Sequence, residues 1–146
     1  MAKRRIAAVA SMIALVVAGL GVTSASAAPE PAAPAPAELR IMNELDGVCD
    51  RNEVCFYYNS NWQGSVADFN SSVSDFAGYE FVGLGAGKGQ QVKNNAASVC
   101  NYFRYYVAVV YYNSWYAGRA DVIPPQECEN LKITYNENAS VKMSAI

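Results

Sequence analysis

Beyond residue 48, hydrophobic and polar positions alternate in short runs, and these runs predict strands. Glu53-Val54-Cys55-Phe56-Tyr57-Tyr58 is rich in aromatic and β-branched residues and stops at Asn59-Ser60-Asn61. Ser65 to Phe69 predicts the next strand, with Ser65, Ala67 and Phe69 on one face and Val66 and Asp68 on the other. Tyr79-Glu80-Phe81-Val82 predicts a third strand and Ser98 to Tyr102 a fourth. A second set follows in the same order: Tyr105 to Tyr112, Arg119 to Ile123 stopped by Pro124-Pro125, Leu131 to Tyr135, and Ala139 to Met143. Leu39 to Leu45 suits a turn of helix or an edge strand equally, and no segment after Glu38 carries a long helical period. Short strands with turn signals roughly every ten residues imply an all-β sandwich or small barrel.

The two sets are copies. Tyr57-Tyr58-Asn59-Ser60-Asn61-Trp62-Gln63-Gly64 returns as Tyr111-Tyr112-Asn113-Ser114-Trp115-Tyr116-Ala117-Gly118, with an aromatic two residues before each glycine. Asn95-Ala96-Ala97-Ser98-Val99 returns as Asn138-Ala139-Ser140-Val141. A two-copy unit of this length indicates a two-motif domain and not a solenoid. The first copy is longer between its glycine and its serine. The surplus falls near Gly83-Leu84-Gly85-Ala86-Gly87-Lys88-Gly89, whose alternate glycines predict a flexible exposed loop. Loops on small rigid scaffolds often carry function.

The N-terminus adds a compartment. Lys3, Arg4 and Arg5 precede an apolar run from Ile6 to Val22 and the small residues Ala25-Ser26-Ala27, which predicts a signal peptide over 1–27. The run is short for a membrane span and is broken by Gly19 and Gly21. An Ala/Pro-rich spacer and lead-in occupies 28–48, and the domain covers 49–146, with motifs at about 49–102 and 105–143. Export leaves eight basic residues against thirteen acidic ones, a net charge of −5. Such a domain attracts neither nucleic acid nor anionic membrane, and it is secreted and extracellular. Cys49, Cys55, Cys100 and Cys128 all lie in the exported part, where disulfides persist. Of three possible pairings, Cys49–Cys55 with Cys100–Cys128 keeps each bridge close to one repeat. Loop entropy then contributes about 2 kcal/mol for the short loop and about 3.5 kcal/mol for the long one.

The spacing of an aromatic, six residues and a glycine (Tyr57 to Gly64, Tyr111 to Gly118), followed by Ser98 or Ser140, resembles the βγ-crystallin Greek-key signature. The resemblance implies a folded-over hairpin with the glycine at positive φ, the serine hydroxyl bonded to the hairpin backbone and the aromatic packed over it. Two such motifs would make one eight-stranded, all-β sandwich with two disulfides. The signal peptide, the early cysteine pair and the string Val92 to Val99 are similar to the streptomycete metalloproteinase inhibitor family. That likeness implies a non-enzymatic, non-covalent inhibitor of thermolysin-like zinc proteases, acting through a rigid substrate-like loop. The family's reactive bond lies in a short disulfide loop, and none follows Cys55 here. Gly85, Gly87 and Lys88 in the glycine-rich loop, and Trp62, Trp115 and Tyr116 in the hairpin turns, are the candidate protease contacts.

Other chemistries fit less well. Calcium-binding relatives of this fold carry two Asn/Asp, two free positions, Ser/Thr and Ser. This chain offers Lys93, Asn94 and Ala97 before Ser98, and Tyr135, Asn136 and Ala139 before Ser140, so each copy lacks the fifth-place hydroxyl and has the wrong first residue for an ion that needs several hard oxygen ligands. Neither a metal nor another cofactor is expected. Asn94, Asn95, Asn136 and Asn138 read as turn residues. Gly87-Lys88 fails the phosphate-loop spacing. The chain has no histidine, which removes the usual general base and metal ligand. Asp46 with Asp50, and Glu127 with Glu129, are better explained as solvated acids, and Asp68 and Asp121 as structural residues. Two other readings of the scaffold remain: a killer-toxin-like or cell-envelope-binding protein, and a degenerate calcium-binding crystallin.

Overall fold

The aromatic and β-branched runs form strands that hydrogen-bond in two antiparallel sheets. The computed structural model describes residues 44–146, so the predicted signal segment and the spacer up to residue 43 lie outside the described residues. The strands are β1 (Val54–Asn59), β2 (Gln63–Phe69), β3 (Ser98–Asn101), β4 (Tyr106–Asn113), β5 (Ala117–Ile123), β6 (Cys128–Asn130) and β7 (Ser140–Ala145). One sheet has the order β2-β1-β3-β6 and the other β5-β4-β7.

The halves exchange segments. β6, from the second half, pairs with β3 of the first, with Ser98 opposite Asn130 and Cys100 opposite Cys128. In return Val73, from the first half, bridges Val141 of β7, each amide donating to the other's carbonyl at 2.9 Å. Neither motif can therefore close its sheet alone. The two interlocked Greek keys are one folding unit, held further by the Cys49–Cys55 and Cys100–Cys128 disulfides.

Between the sheets, Val54, Phe56, Phe69, Phe76, Val99, Ala108, Val110, Ile123 and Val141 are buried in one cluster. Phe56 meets Phe69 and Phe76 edge-on, at ring separations of 5.9 and 5.0 Å. Such pairs add about 1 kcal/mol each beyond area burial. Asn101 fixes the crossover between motifs. Its buried side chain donates to the carbonyls of Tyr106, Ile123 and Pro124 and accepts from Phe103 N–H.

Among the described residues seven strands form where eight are expected. Tyr79–Val82 makes only a bridge, Glu80 to Gln91, because it serves the base of the inserted loop. The first motif's third segment is instead Val73, in a Ser-rich stretch that carries no strand signal. The strand expected at Leu131–Tyr135 forms earlier, at Cys128–Asn130, where the disulfide holds the chain beside β3. Within β2, Ser65 to Phe69 is buried on both faces and not on alternate ones. The packed unit also begins upstream of Cys49. Leu45 packs on the core and its N–H bonds to Asp68 O, while Asp68 Oδ1 and Oδ2 accept from Gly47 and Asp46.

Candidate functional site

Each β-hairpin is folded over by a serine latch. Ser98 Oγ donates to Asn59 O at 2.7 Å and accepts from Trp62 N–H at 3.0 Å. Ser140 Oγ repeats this with Asn113 O at 2.7 Å and Tyr116 N–H at 3.2 Å. Both serines are fully buried, so each latch bond is shielded from water. The glycines take φ of +82° at Gly64 and +85° at Gly118, the left-handed region that a Cβ penalises. The strand registers shift at matching places, Tyr57/Asn59 and Tyr111/Asn113. Half-buried Tyr57 sits at the first shift, and burial pushes its hydroxyl up to about 12.

The latches bring both turns to one end of the molecule. Asn138 joins the loops that precede β3 and β7: its Oδ1 accepts from Ala96 N–H, its Nδ2 donates to Val92 O, and its carbonyl accepts from Asn94 N–H. Because each loop leads straight into a latch serine, the two hairpin turns flank this junction. Trp62 and Trp115 project from them, 48% and 74% exposed. The turn backbones are set by positive φ at Asn61, Trp62, Trp115 and Tyr116. Trp115 N–H also bonds to Ser74 O at 2.6 Å, and Lys142 Nζ lies 5.9 Å over the Tyr116 ring.

The glycine-rich loop is pinned, contrary to the expectation of a flexible one. Val82 and Gly83 N–H both donate to Val66 O, Ser65 Oγ donates to Gly83 O, and Ser65 N–H donates to Ala86 O. The glycines permit this close approach. A Cβ on Gly87 would lie 2.1 Å from Tyr58 Cγ, and one on Gly83 would lie 2.6 Å from Val66 Cγ1. Gly85 and Gly87 are thus framework, whereas Lys88 and Leu84 are exposed. Leu84, at 85%, is more exposed than any other large apolar residue among the described ones. The sequence points to the loop that holds it, but to Gly85, Gly87 and Lys88 as the contacts within that loop.

Charge is distributed unevenly. Lys93 Nζ bonds to Asp75 Oδ1 at 2.8 Å and Ser114 Oγ at 2.9 Å, which ties the first motif to the second hairpin. That ammonium and a backbone bond from Ala77 hold Asp75 below the usual carboxylate range. Glu53, buried within the Cys49–Cys55 loop, is pushed up to about 7 by burial and by Asp68, Asp50 and Asp46, against a hydrogen bond from Asp50 N–H. Burial raises Asp68 likewise, against its bonds from Gly47 and Asp46. Asp121 is structural: it accepts from the backbone of Lys132, Ile133 and Thr134. The pairing register sets it opposite Val110, where the first motif has Ala67, so its match to Asp68 is only approximate.

Glu53 carboxylate and the Cys49 and Cys55 sulfurs lie within 4.8 Å of one another, but the sulfurs are joined and offer no thiolate to a metal. At the far end of the first sheet, Cys49 to Asn52, Tyr102, Arg104 and Gln126 line a polar cavity of about 570 Å³.

The model of peptidase inhibitor family I36 matches residues 43–123. No curated protein matches the chain. Among solved structures, one described under the evolution of the eye-lens βγ-crystallin domain fold is similar at a TM-score of 0.53 and 15% identity, over 66% of this chain and 88% of that one. The N-terminal domain of protein S aligns at 0.49 and 21% identity, over 64% and 97% of the respective chains. A βγ-crystallin from Ciona intestinalis aligns at 0.48 and 14%, over 63% and 99%. The first of these supports the βγ-crystallin fold, and none at such identity speaks to activity.

Proposed function

This chain belongs to peptidase inhibitor family I36 and is a protease inhibitor, not an enzyme; on that premise we propose that its targets are thermolysin-like zinc metalloproteases. Binding is non-covalent and substrate-like, through the end of the molecule that carries the hairpin turns and the pinned loop. The observation that carries the proposal is the extent of the family match, which runs through the first hairpin, the inserted loop and the second hairpin. The two disulfides fit an exported protein. We place the signal segment at 1–27 and the spacer and lead-in at 28–48.

The physical support is preorganisation. A substrate loop must be ordered when it enters a protease cleft, and that entropy weakens binding. Here positive-φ turns, serine latches and backbone bonds fix Trp62, Trp115, Tyr116 and the loop at Gly85, Gly87 and Lys88 beforehand. Large aromatics on rigid turns present contact area at little further entropic cost. The test titrates the purified protein against a thermolysin-like protease and a serine protease on peptide substrates. Stoichiometric loss of the zinc enzyme's activity alone is expected. Inhibition of the serine protease alone, or of neither at micromolar protein, contradicts the proposal.

A further inference from the structure

We propose that Leu84 is the specificity-determining side chain, the one that enters an apolar specificity pocket of the target protease. This rests on the inhibitor reading above and names the residue that reading leaves open. The loop is an insertion: the first motif uses 34 positions between Gly64 and Ser98, the second only 22 between Gly118 and Ser140. The latch does not require it, since Ser140 makes the same bonds without one.

What the insertion achieves is the display of one residue. On one side, Gly83 is tied to Val66 and Ser65; on the other, Ala86 is tied to Ser65. Between these anchors Leu84 projects with 85% of its surface exposed. Gly85 packs against the hairpin, where its Cβ would meet Gly64 C at 3.0 Å. Gly64 lies two residues from Trp62, so one framework carries the aliphatic and the aromatic side chain. A single exposed leucine on a mobile loop would be unremarked surface. A leucine held out by backbone bonds on both flanks costs water contact without any folding return, which is the mark of a binding anchor.

The main chain fits the same role. Among the described residues, neither Leu84 N–H nor its carbonyl has a hydrogen-bond partner. Both are free to pair with the extended backbone edge that proteases use to align substrates. Lys88 is the competing anchor on this loop and would suit an acidic pocket. It sits beyond Gly87, whose backbone is against the Tyr58 ring, and its own N–H is taken by Gly85 O.

The test measures inhibition constants of wild type, Leu84→Ala, Leu84→Phe and Lys88→Ala against a thermolysin-like protease and a trypsin-like protease. Truncating a pocketed leucine should weaken inhibition of the zinc enzyme by about tenfold to a hundredfold. Leu84→Phe should stay near wild type, Lys88→Ala should change little, and thermal midpoints should be unaltered because Leu84 touches no core residue. If wild type inhibits the zinc enzyme and Leu84→Ala does so equally, the Leu84 assignment alone is wrong. If only the trypsin-like enzyme is inhibited and Lys88→Ala abolishes it, Lys88 is the anchor. If wild type inhibits neither, the metalloprotease reading and this assignment fall together.

Discussion

β2 and β5 are equivalent strands in the two hairpins, and their surroundings differ. In the first motif Ser65 to Phe69 is buried throughout, because Leu45–Gly47 lies along Asp68 and the loop at 82–86 lies along Ser65 and Val66. In the second, β5 is only partly covered: Lys132–Thr134 bond to Asp121, but the rest of the strand faces outward and Val122 is 57% exposed. The latch is the same in both, so it accounts for the hairpin and not for the cover. The close-packed glycine-rich loop belongs to the first motif alone, and with it come the tight glycine contacts and the displayed leucine; the two carboxylates raised by burial lie in the same motif. A duplicated scaffold has kept one copy plain and elaborated the other.

The sharpest way to break this comparison is at the glycines. Gly87→Ala places a Cβ 2.1 Å from Tyr58 Cγ at a φ of +89°, and should cost about 3 kcal/mol. Gly118→Ala meets the end of the exposed Asn113 side chain at 2.8 Å and Tyr112 Cβ only at 3.6 Å, and should cost about 1 kcal/mol. Urea unfolding separates the two, and equal costs would show that the cover is loosely held. The latches provide the control. Ser98→Ala and Ser140→Ala each remove the serine partner of a part-buried hairpin carbonyl and amide and should cost about 2 kcal/mol apiece. A large inequality between them would mean that the motifs are not equivalent even at the latch.

Acidity should distinguish the halves more gently. Glu53 has its folded-state value raised to about 7, above the 4.5 of an unperturbed carboxyl. The folded protein therefore holds a proton that the unfolded chain has lost between those values. Stability falls as pH rises through that window, and the loss is complete above about pH 7. Asp68 is shifted in the same direction. Thermal midpoints between pH 5 and 8 should decline for wild type and flatten in Glu53→Gln; parallel curves would place the titrating group elsewhere. The smallest effect expected is none. Lys93 already sets an ammonium between Asp75 and Ser114, so added calcium should leave the melting temperature unchanged. A rise with calcium concentration would show a site by mass action.

The latch was legible because it is local: aromatic, six residues, glycine, and then a serine opening a strand. The repeat, the sandwich class and both disulfides followed from it. Val73 was not legible, because its pairing with Val141 spans 68 positions and makes a single bridge. Nor was β6, whose Cys-Glu-Asn is a weak strand sequence held in register by a disulfide and by β3. Alternate glycines gave the wrong expectation for the loop. Local propensity scores them as freedom, while here the missing Cβ atoms admit Tyr58 and Val66. The burial of Glu53, too, depends on contacts that no local pattern encodes.

Amide hydrogen exchange of the protein with and without a saturating thermolysin-like protease locates the interface most directly. The expected result is slowed exchange at 82–88 and 60–64, led by the Leu84 amide, which has no partner among the described residues. The polar cavity at Cys49–Asn52 and Arg104 should be unaffected. Protection confined to that cavity, with the glycine-held loop unchanged, would contradict the assignment of inhibition to the elaborated motif's loop.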